Sequence, residues 1–347
     1  MKVAIFKAIG KKSHSTDWGI PWAEYCQREN ISFEFVDLFK CNAIETLRSF
    51  DVLLWHFGQY NYADMLEARS ILYTAKNIGL RVFPDFNDAW HFDDKVAEMY
   101  ALQGVNAPIP ASEVFYDKES FDEWLVNKAV VPIVGKLRTG SGSHNVKLLK
   151  TMPALKSYGH KMLKNGFNPA PSLLYKASSN VRSSHDWETF KKKLMRAPEF
   201  LRTLTGAKRF PHEKGYIYLQ EFIPNNGFDL KVVVVGDKCS GLVRPIRSHD
   251  FRASGGGEVF FDKKYFTKQI ISSAFETADK LGLQCVGFDY VVDNRTGQGV
   301  IVEMSYGFSH AAILASGGYW ERNCQWHDAV FNAPAEIIKN IKMKIKE

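Results

Sequence analysis

Two short strand-like runs near the C-terminus, Cys285–Val292 and Val300–Met304, constrain this chain more than any other stretch. Valines, Ile301, Phe288 and Tyr290 supply the strand character, and the turn-rich segment 293–299 between them makes a hairpin. Carboxylates are depleted in strands, yet Asp289 and Glu303 sit inside these two. With Val292 opposite Val300, Asp289 falls directly opposite Glu303. Two opposed carboxylates repel each other, and a cation between them turns the liability into a site. Ser305, two residues beyond Glu303, lies on the same face and adds a third oxygen. One or two carboxylates with room for phosphates and water is how proteins hold magnesium for nucleotide chemistry. The alternative is that Asp289 pairs with a lysine and Glu303 faces solvent.

At 347 residues the chain has room for two or three domains with large cores. Its 45% hydrophobic and 24% charged content is that of a soluble globular protein. No apolar run approaches a membrane span, and Met1–Phe6 reads as a first strand rather than a signal peptide. The five cysteines are scattered without zinc or redox-pair spacing, and read as reduced thiols in a cytoplasmic protein. A net charge of +7 suits a protein that handles anions. Nucleic acid is a weak reading of that charge, because the basic residues are not interleaved with aromatics as in a base-stacking platform.

Residues 1–85 alternate strand and helix. Strands are expected at Val3–Ala8, Ser32–Asp37, Val52–His56 and Arg81–Phe83, which implies a small parallel sheet covered by helices. Gly10-Lys11-Lys12-Ser13 lacks the spacing of a phosphate loop. Asn87–Pro110 reads as one helix, with Asp93-Asp94 near its start and Gly104 at its end. Lys95 sits in its first turn, the wrong end on dipole grounds; solvation or a nearby anion would explain it. The strand Val131–Leu137 delivers Lys136 to a glycine- and serine-rich loop, Gly140–Asn145, able to wrap a polyphosphate or to serve as a plain turn. Residues 150–215 read as a basic insertion with one helical stretch, Trp187–Met195. Ile217–Ile223 and Phe228–Val235 read as strands. The strand Gly241–Ile246 then leads into Arg244, Arg247 and Arg252, three cations that are costly to hold together without an anion. Helices are expected at Thr267–Leu281 and Ala333–Lys346.

Laid end to end, residues 80–310 resemble the ATP-grasp superfamily, and within it the branch of the ribosomal-protein glutamate ligases. Asp94-Lys95 resembles the family's opening nucleotide lysine, and Pro132–Lys136 its second. Gly140–Asn145, with Ser141, Gly142 and Ser143 at its tip, resembles the loop that closes over the γ-phosphate. Gln220-Glu221-Phe222-Ile223 resembles the interlobe hinge, whose main chain bonds the adenine edge. Asp229 falls near a ribose or phosphate contact, and Lys231 stands where many members have arginine. Asp250-Phe251-Arg252 resembles the segment whose arginine stabilises the reaction centre, with Arg244 and Lys231 as further candidates. Asp289, Glu303 and Ser305 match the metal triad. There are departures: Ser305 and Ser254 replace asparagines. Gly287 replaces an arginine of the D-alanine ligases, which argues against that branch.

The resemblance implies an α/β chain that becomes α+β in its second part, with a small parallel-sheet domain preceding a two-lobed ATP-grasp fold. The expected divisions are 1–85, then a first lobe at 86–223 carrying the 150–215 insertion, then a second lobe at 224–347. The implied activity is ATP-dependent carboxylate–amine ligation through an acyl phosphate, with magnesium (or manganese) as the metal. The implied partners are a small-molecule or peptide carboxylate and an amine acceptor, with no membrane and a homodimer compatible. The alternative is a nucleotide-binding protein without ligase activity, in which Ser254 and Ser305 mark lost chemistry.

Overall fold

The computed structural model describes residues 1–7, 18–59, 62–140, 145–169, 212–225, 227–246 and 259–346. The chain opens with β1 (Lys2–Phe6), α1 (Gly19–Arg28), β2 (Ser32–Val36), α2 (Ala43–Leu47), β3 (Val52–Leu54), α3 (Tyr62–Asn77) and β4 (Arg81–Phe83). The four strands form a parallel sheet in the order β2-β1-β3-β4, as the alternation of elements implies.

A second stretch contains α4 (Phe86–Ala89), α5 (Lys95–Gly104), β5 (Ser112–Phe115), α6 (Lys118–Asn127), β6 (Ile133–Lys136), β7 (Val146–Leu149), α7 (Met152–Lys164) and β8 (Ile217–Glu221). Its strands pair antiparallel in the order β5-β8-β6-β7. The single helix expected over Asn87–Pro110 is two. Asp93, at φ 57°, takes the left-handed region, and the Asp94 side chain accepts from the Ala97 N–H at 3.0 Å. A new helix therefore starts at Lys95, and Asp94 caps it.

The third stretch contains β9 (Phe228–Val235), β10 (Lys238–Pro245), α8 (Lys268–Leu281), β11 (Cys285–Val292), β12 (Gly299–Ser305), α9 (His310–Leu314), β13 (Tyr319–Glu321), β14 (Trp326–His327) and α10 (Ala333–Lys346). The six strands form one sheet, β12-β11-β9-β10-β13-β14. Side chains alternate across it. Leu230, Val232, Val234, Val286, Phe288 and Tyr290 face the buried stripe of α8, where Ile270, Ile271, Ala274, Phe275 and Ala278 recur at helical spacing. On the opposite face, Val233, Val235, Leu242 and Cys285 merge into the core of the parallel sheet. The polar residues at the far end of that same face form the site described below. Among the described residues, no helix is long and apolar enough to cross a membrane.

Helix α7 went unread in the sequence, although Thr151 caps it and a proline opens it. It packs on α6 through Gly159, where an added Cβ would lie 2.2 Å from Phe121 Cε1 and 3.1 Å from Ile217 Cδ1. Gly159→Ala should therefore lower stability by about 1–3 kcal/mol despite alanine's better helix propensity. Urea unfolding monitored by far-UV circular dichroism checks this. An unchanged or raised midpoint would show that Phe121 shifts without cost.

Candidate functional site

The hairpin β11–β12 brings Asp289 opposite Glu303, but not through the expected register. Val292 pairs with Gly299, Val291 with Val300 and Tyr290 with Ile301. A bulge then intervenes, so that Asp289 pairs with Glu303 and Gly287 with Ser305. Ile301 and Met304 face the core, while Val302 and Glu303 are both half-exposed. The extra residue that breaks strict alternation is Val302.

Asp289 is buried and held by two cations. Lys231, its register partner on β9, forms an ion pair with Oδ1, and Arg244 on β10 reaches Oδ2 at 2.9 Å. Arg244 is shared with its own register partner Asp229, which takes its Nε–H and, at 3.0 Å, an Nη2–H. Two carboxylates, one lysine and one guanidinium thus form a neutral network on one face of the sheet. Burial pushes the Asp289 carboxyl up, but Arg244 and Lys231 outweigh it and leave the pKa below the usual value. Asp229 ends at about 6, raised first by burial, with Arg244 opposing. Half of the alternative is realised: Asp289 pairs with a lysine, whereas Glu303 pairs with Lys95 instead of simply facing solvent. Gly287 makes room for the Asp289 pair: a Cβ there would sit 3.2 Å from Lys231 Cδ.

Glu303 belongs to a second cluster, which joins the sheets. Lys95 at the start of α5 is buried, with Nζ 3.4 Å from Glu303 Oε1 and bonded to the Gly140 carbonyl. Burial lowers its pKa, yet Glu303, Glu98 and Asp93 together raise it above the ordinary value. Lys136, buried at the end of β6, donates to the Val302 carbonyl at 2.8 Å. Its pKa falls to about 8, chiefly through burial, with Lys95 adding to the fall and Glu303 opposing it. Lys95 and Lys136, 41 positions apart in sequence, thus converge on consecutive residues of the bulge.

Sequence reasoning missed Glu98. It lies one helical turn after Lys95 and so shares its face. It is buried, and its Oε2 accepts from the Met304 N–H at 3.4 Å. Burial and neighbouring Glu303 push its carboxyl well above the usual range. The signal was the i, i+3 spacing, readable once Asp94 is recognised as the cap.

Lys95, Glu98 and Glu303 line a cleft together with Gln220 and the apolar walls Leu102, Ile109 and Ile301. The Gln220 amide donates to Tyr218 Oη at 3.2 Å and Ser112 Oγ at 3.4 Å. The expected hinge residue Glu221 donates its N–H to the Ala111 carbonyl at 2.8 Å, and its side chain accepts from Arg295 at 2.9 Å. Phe222 and Ile223 follow directly on β8, and Ile223 is buried.

The loop after Lys136 is anchored at its base. Glu213 accepts from the N–H groups of Arg138 at 2.9 Å and Thr139 at 3.0 Å, and Asp93 accepts from that of Gly140 at 2.8 Å. These three amides are occupied by carboxylates rather than left open for a polyphosphate. Ser141, Gly142 and Ser143 lie outside the described residues, as do Gly10–Ser13, Trp187–Met195, Arg247, Arg252 and Ser254.

Ser305 lies on the Glu303 face, as its spacing requires. Its Oγ accepts from the Gly307 N–H at 3.0 Å and donates to the Gly307 carbonyl at 3.2 Å. Among the described residues, no group of three His, Cys, Asp or Glu side chains is arranged to hold a metal ion. Two hard-oxygen carboxylates on adjacent strands remain, a donor set that suits magnesium when phosphates and water complete the shell.

No protein-family model and no curated protein matches the sequence. Solved structures do match the fold. D-alanine–D-alanine ligase from Bacillus anthracis, complexed with ATP, is 11% identical over 100% of this chain and 98% of its own, with TM-score 0.57. D-cycloserine synthetase DcsG is 11% identical over 99% and 100%, with TM-score 0.58. A RimK domain ATP-grasp protein from Sphaerobacter thermophilus DSM 20745 is 15% identical over 98% of both chains, with TM-score 0.54. The fold is therefore the ATP-grasp fold, as expected, over the whole chain. The three scores are too close to single out one branch.

Proposed function

We propose that this chain is an ATP-dependent carboxylate–amine ligase that works through an acyl phosphate and releases ADP and phosphate. One observation carries the reading: Lys95, paired with Glu303, and Lys136, bonded to the neighbouring Val302 carbonyl, are delivered by separate elements to one strand beside a cleft with apolar walls and Gln220. That is a binding surface for a flat base at one end and a polyphosphate at the other. The likeness to an ATP-complexed ligase supports the nucleotide. Gly287 argues against the D-alanine ligase branch and leaves the ribosomal-protein glutamate ligase branch as the reading, and the expected division into residues 1–85, 86–223 and 224–347 belongs to it. The acceptor is a carboxylate of a small molecule or peptide, joined to an amine. Five free cysteines suit a reducing compartment such as the cytoplasm.

In this reading catalysis is positioning and charge neutralisation. Lys95 and Lys136 hold the phosphate tail. Main-chain groups at Glu221 and Ile223 hold the adenine edge. Arg244 and Lys231, with Arg252, steady negative charge at the reacting carboxyl. Asp289 and Glu303, with Ser305 third, hold magnesium, which when bound neutralises phosphate charge.

A second reading keeps nucleotide binding and drops the ligase activity. It is favoured by the ion pairs at both Asp289 oxygens and by the engagement of Ser305 with Gly307. Calorimetric titration with ADP, with and without magnesium, followed by a screen of acids and amines for ADP release, separates the two. Magnesium-dependent binding with ADP release supports the ligase, and binding without release with any pair supports the second reading. No binding at all defeats both.

Lys136 gives the nucleotide site a pH signature. Only its protonated form pairs with phosphate, and its pKa is about 8. Nucleotide affinity should therefore fall as pH rises through 8. Lys136→Ala should weaken binding by about 10- to 100-fold at pH 7, and Lys136→Arg should flatten the decline above pH 8. Affinity unchanged in Lys136→Ala would remove the residue from the site.

A further inference from the structure

Lys95 opens α5, so no earlier turn of that helix fixes it, and its place depends on the residues before it. Those residues are held from the parallel-sheet layer. Arg69, half-buried on α3, donates from Nε to the Ala89 carbonyl at 2.8 Å and from Nη2 to the Phe92 carbonyl. Its guanidinium lies 5.9 Å from the centre of the Phe57 ring. The planar fork of arginine spans two carbonyls in this way, which the single ammonium of a lysine does not match. The same stretch is held from its other side. Asp93, in the left-handed region, accepts from the Gly140 N–H at 2.8 Å. Asp94 accepts from Arg138 Nη1 at 2.9 Å, and the Lys95 N–H donates to the Arg138 carbonyl at 2.9 Å. The Phe92 ring sits 4.7 Å from that of Tyr306, the residue after Ser305. Residues 89–95 thus touch α3, the base of the loop after Lys136 and the end of β12.

Resting on the nucleotide reading above, we propose that Arg69 is a positioning residue for Lys95. It acts through the turn. By clamping Ala89 and Phe92 it sets where the chain enters the left-handed residue Asp93, and so where Lys95 starts α5 and points toward the phosphate tail. A non-glycine residue in that conformation persists where its surroundings hold it. Arg138 and Gly140 hold it from the loop side, and Arg69 supplies the clamp on the α4 side. General support of α4 would cost stability and leave the site of the folded protein as it is. Positioning costs the grip on phosphate, because a charge displaced by a fraction of a turn no longer meets its partner.

Arg69→Lys tests this, since it keeps the charge and most of the stem and loses the fork; Arg69→Met removes the charge as well. Titrations of the full chain with ADP and magnesium, and with adenosine, are compared in protein that circular dichroism shows to be folded. ADP should bind about tenfold weaker in either variant, while adenosine, which carries no phosphate, should bind as it does to wild type. In a Lys95→Met background, Arg69→Lys should have no further effect on ADP affinity. An equal fall for adenosine and ADP, or an equal fall with and without Lys95, assigns Arg69 to general support of the fold and overturns the inference. Wild-type ADP affinity in both variants overturns it too, and each of these results leaves the nucleotide site standing. Absence of ADP binding in wild type overturns the nucleotide reading and this inference with it.

Discussion

Glu303→Ala should abolish ADP release, with a loss of about a thousandfold or more, while the protein stays folded. The cause is the bulge in β12. By inserting Val302 out of alternation, it turns Glu303 to the face that carries Asp289 while Met304 remains in the core. Glu303 is the only one of the two carboxylates with substantial exposure, its side chain being 29% accessible against 9% for Asp289. It is also the less committed, since its partner Lys95 is bonded to the Gly140 carbonyl as well. A metal bridging phosphates would draw on Glu303 first, and removing one well-placed group that stabilises developing charge typically costs about 10²–10³ in rate. Loss of the metal with it makes the expected effect larger. The stability change should be small, about 1 kcal/mol, because Lys95 keeps Glu98 and the Gly140 carbonyl nearby. Calorimetry with ADP should show that the magnesium-dependent part of the affinity has gone. Turnover at the wild-type rate would show that the metal does not use this residue.

What the sequence revealed, and what it hid, follows from the range of each interaction. Periodicity and turn chemistry are local, so Phe228–Val235, Cys285–Val292 and Ala333–Lys346 were read with the bounds they have. The pairing of Asp289 with Glu303 was also read, but from a register that holds only at that end of the hairpin. A bulge leaves little trace in composition, and two consecutive half-buried residues, Val302 and Glu303, look the same as strand residues in one dimension. Sequence alone places Asp93 and Asp94 as negative charges near the start of one helix, whereas their backbone conformation and capping split it in two. Partners distant in sequence were invisible. Glu213 accepts from Arg138, 75 positions away, and no spacing rule connects them. The resemblance pointed to two lysines, Lys95 and Lys136, and the structure brings both to β12. It was silent on Glu98, which lies one turn from Lys95 and accepts from the Met304 N–H.

The carboxylate opposite Glu303 should behave in the reverse way. Asp289→Ala should lower stability by about 3 kcal/mol, because it strands two buried cations. Lys231 loses its ion partner, and Arg244 keeps Asp229. The effect has a direction in pH. The folded-state pKa of Asp289 lies below its unfolded value, so its contribution is present above the unfolded value, near pH 4, and is lost as pH falls through the folded value. Wild type should therefore lose stability more steeply than Asp289→Ala on acidification, and the gap between them should narrow as pH falls below the unfolded value. Urea unfolding from pH 7 down to pH 3 measures both slopes. A double variant, Asp289→Ala with Lys231→Met, should recover part of the loss, since it removes one stranded charge along with its partner. If instead Asp289→Ala is as stable as wild type and has lost only magnesium-dependent affinity, Asp289 is a metal ligand whose pairing with Lys231 and Arg244 contributes nothing to the fold. A large loss at pH 7 that shrinks in acid would make the four-residue network a structural support for the site. Glu303 would then be the carboxylate on which the metal chiefly depends.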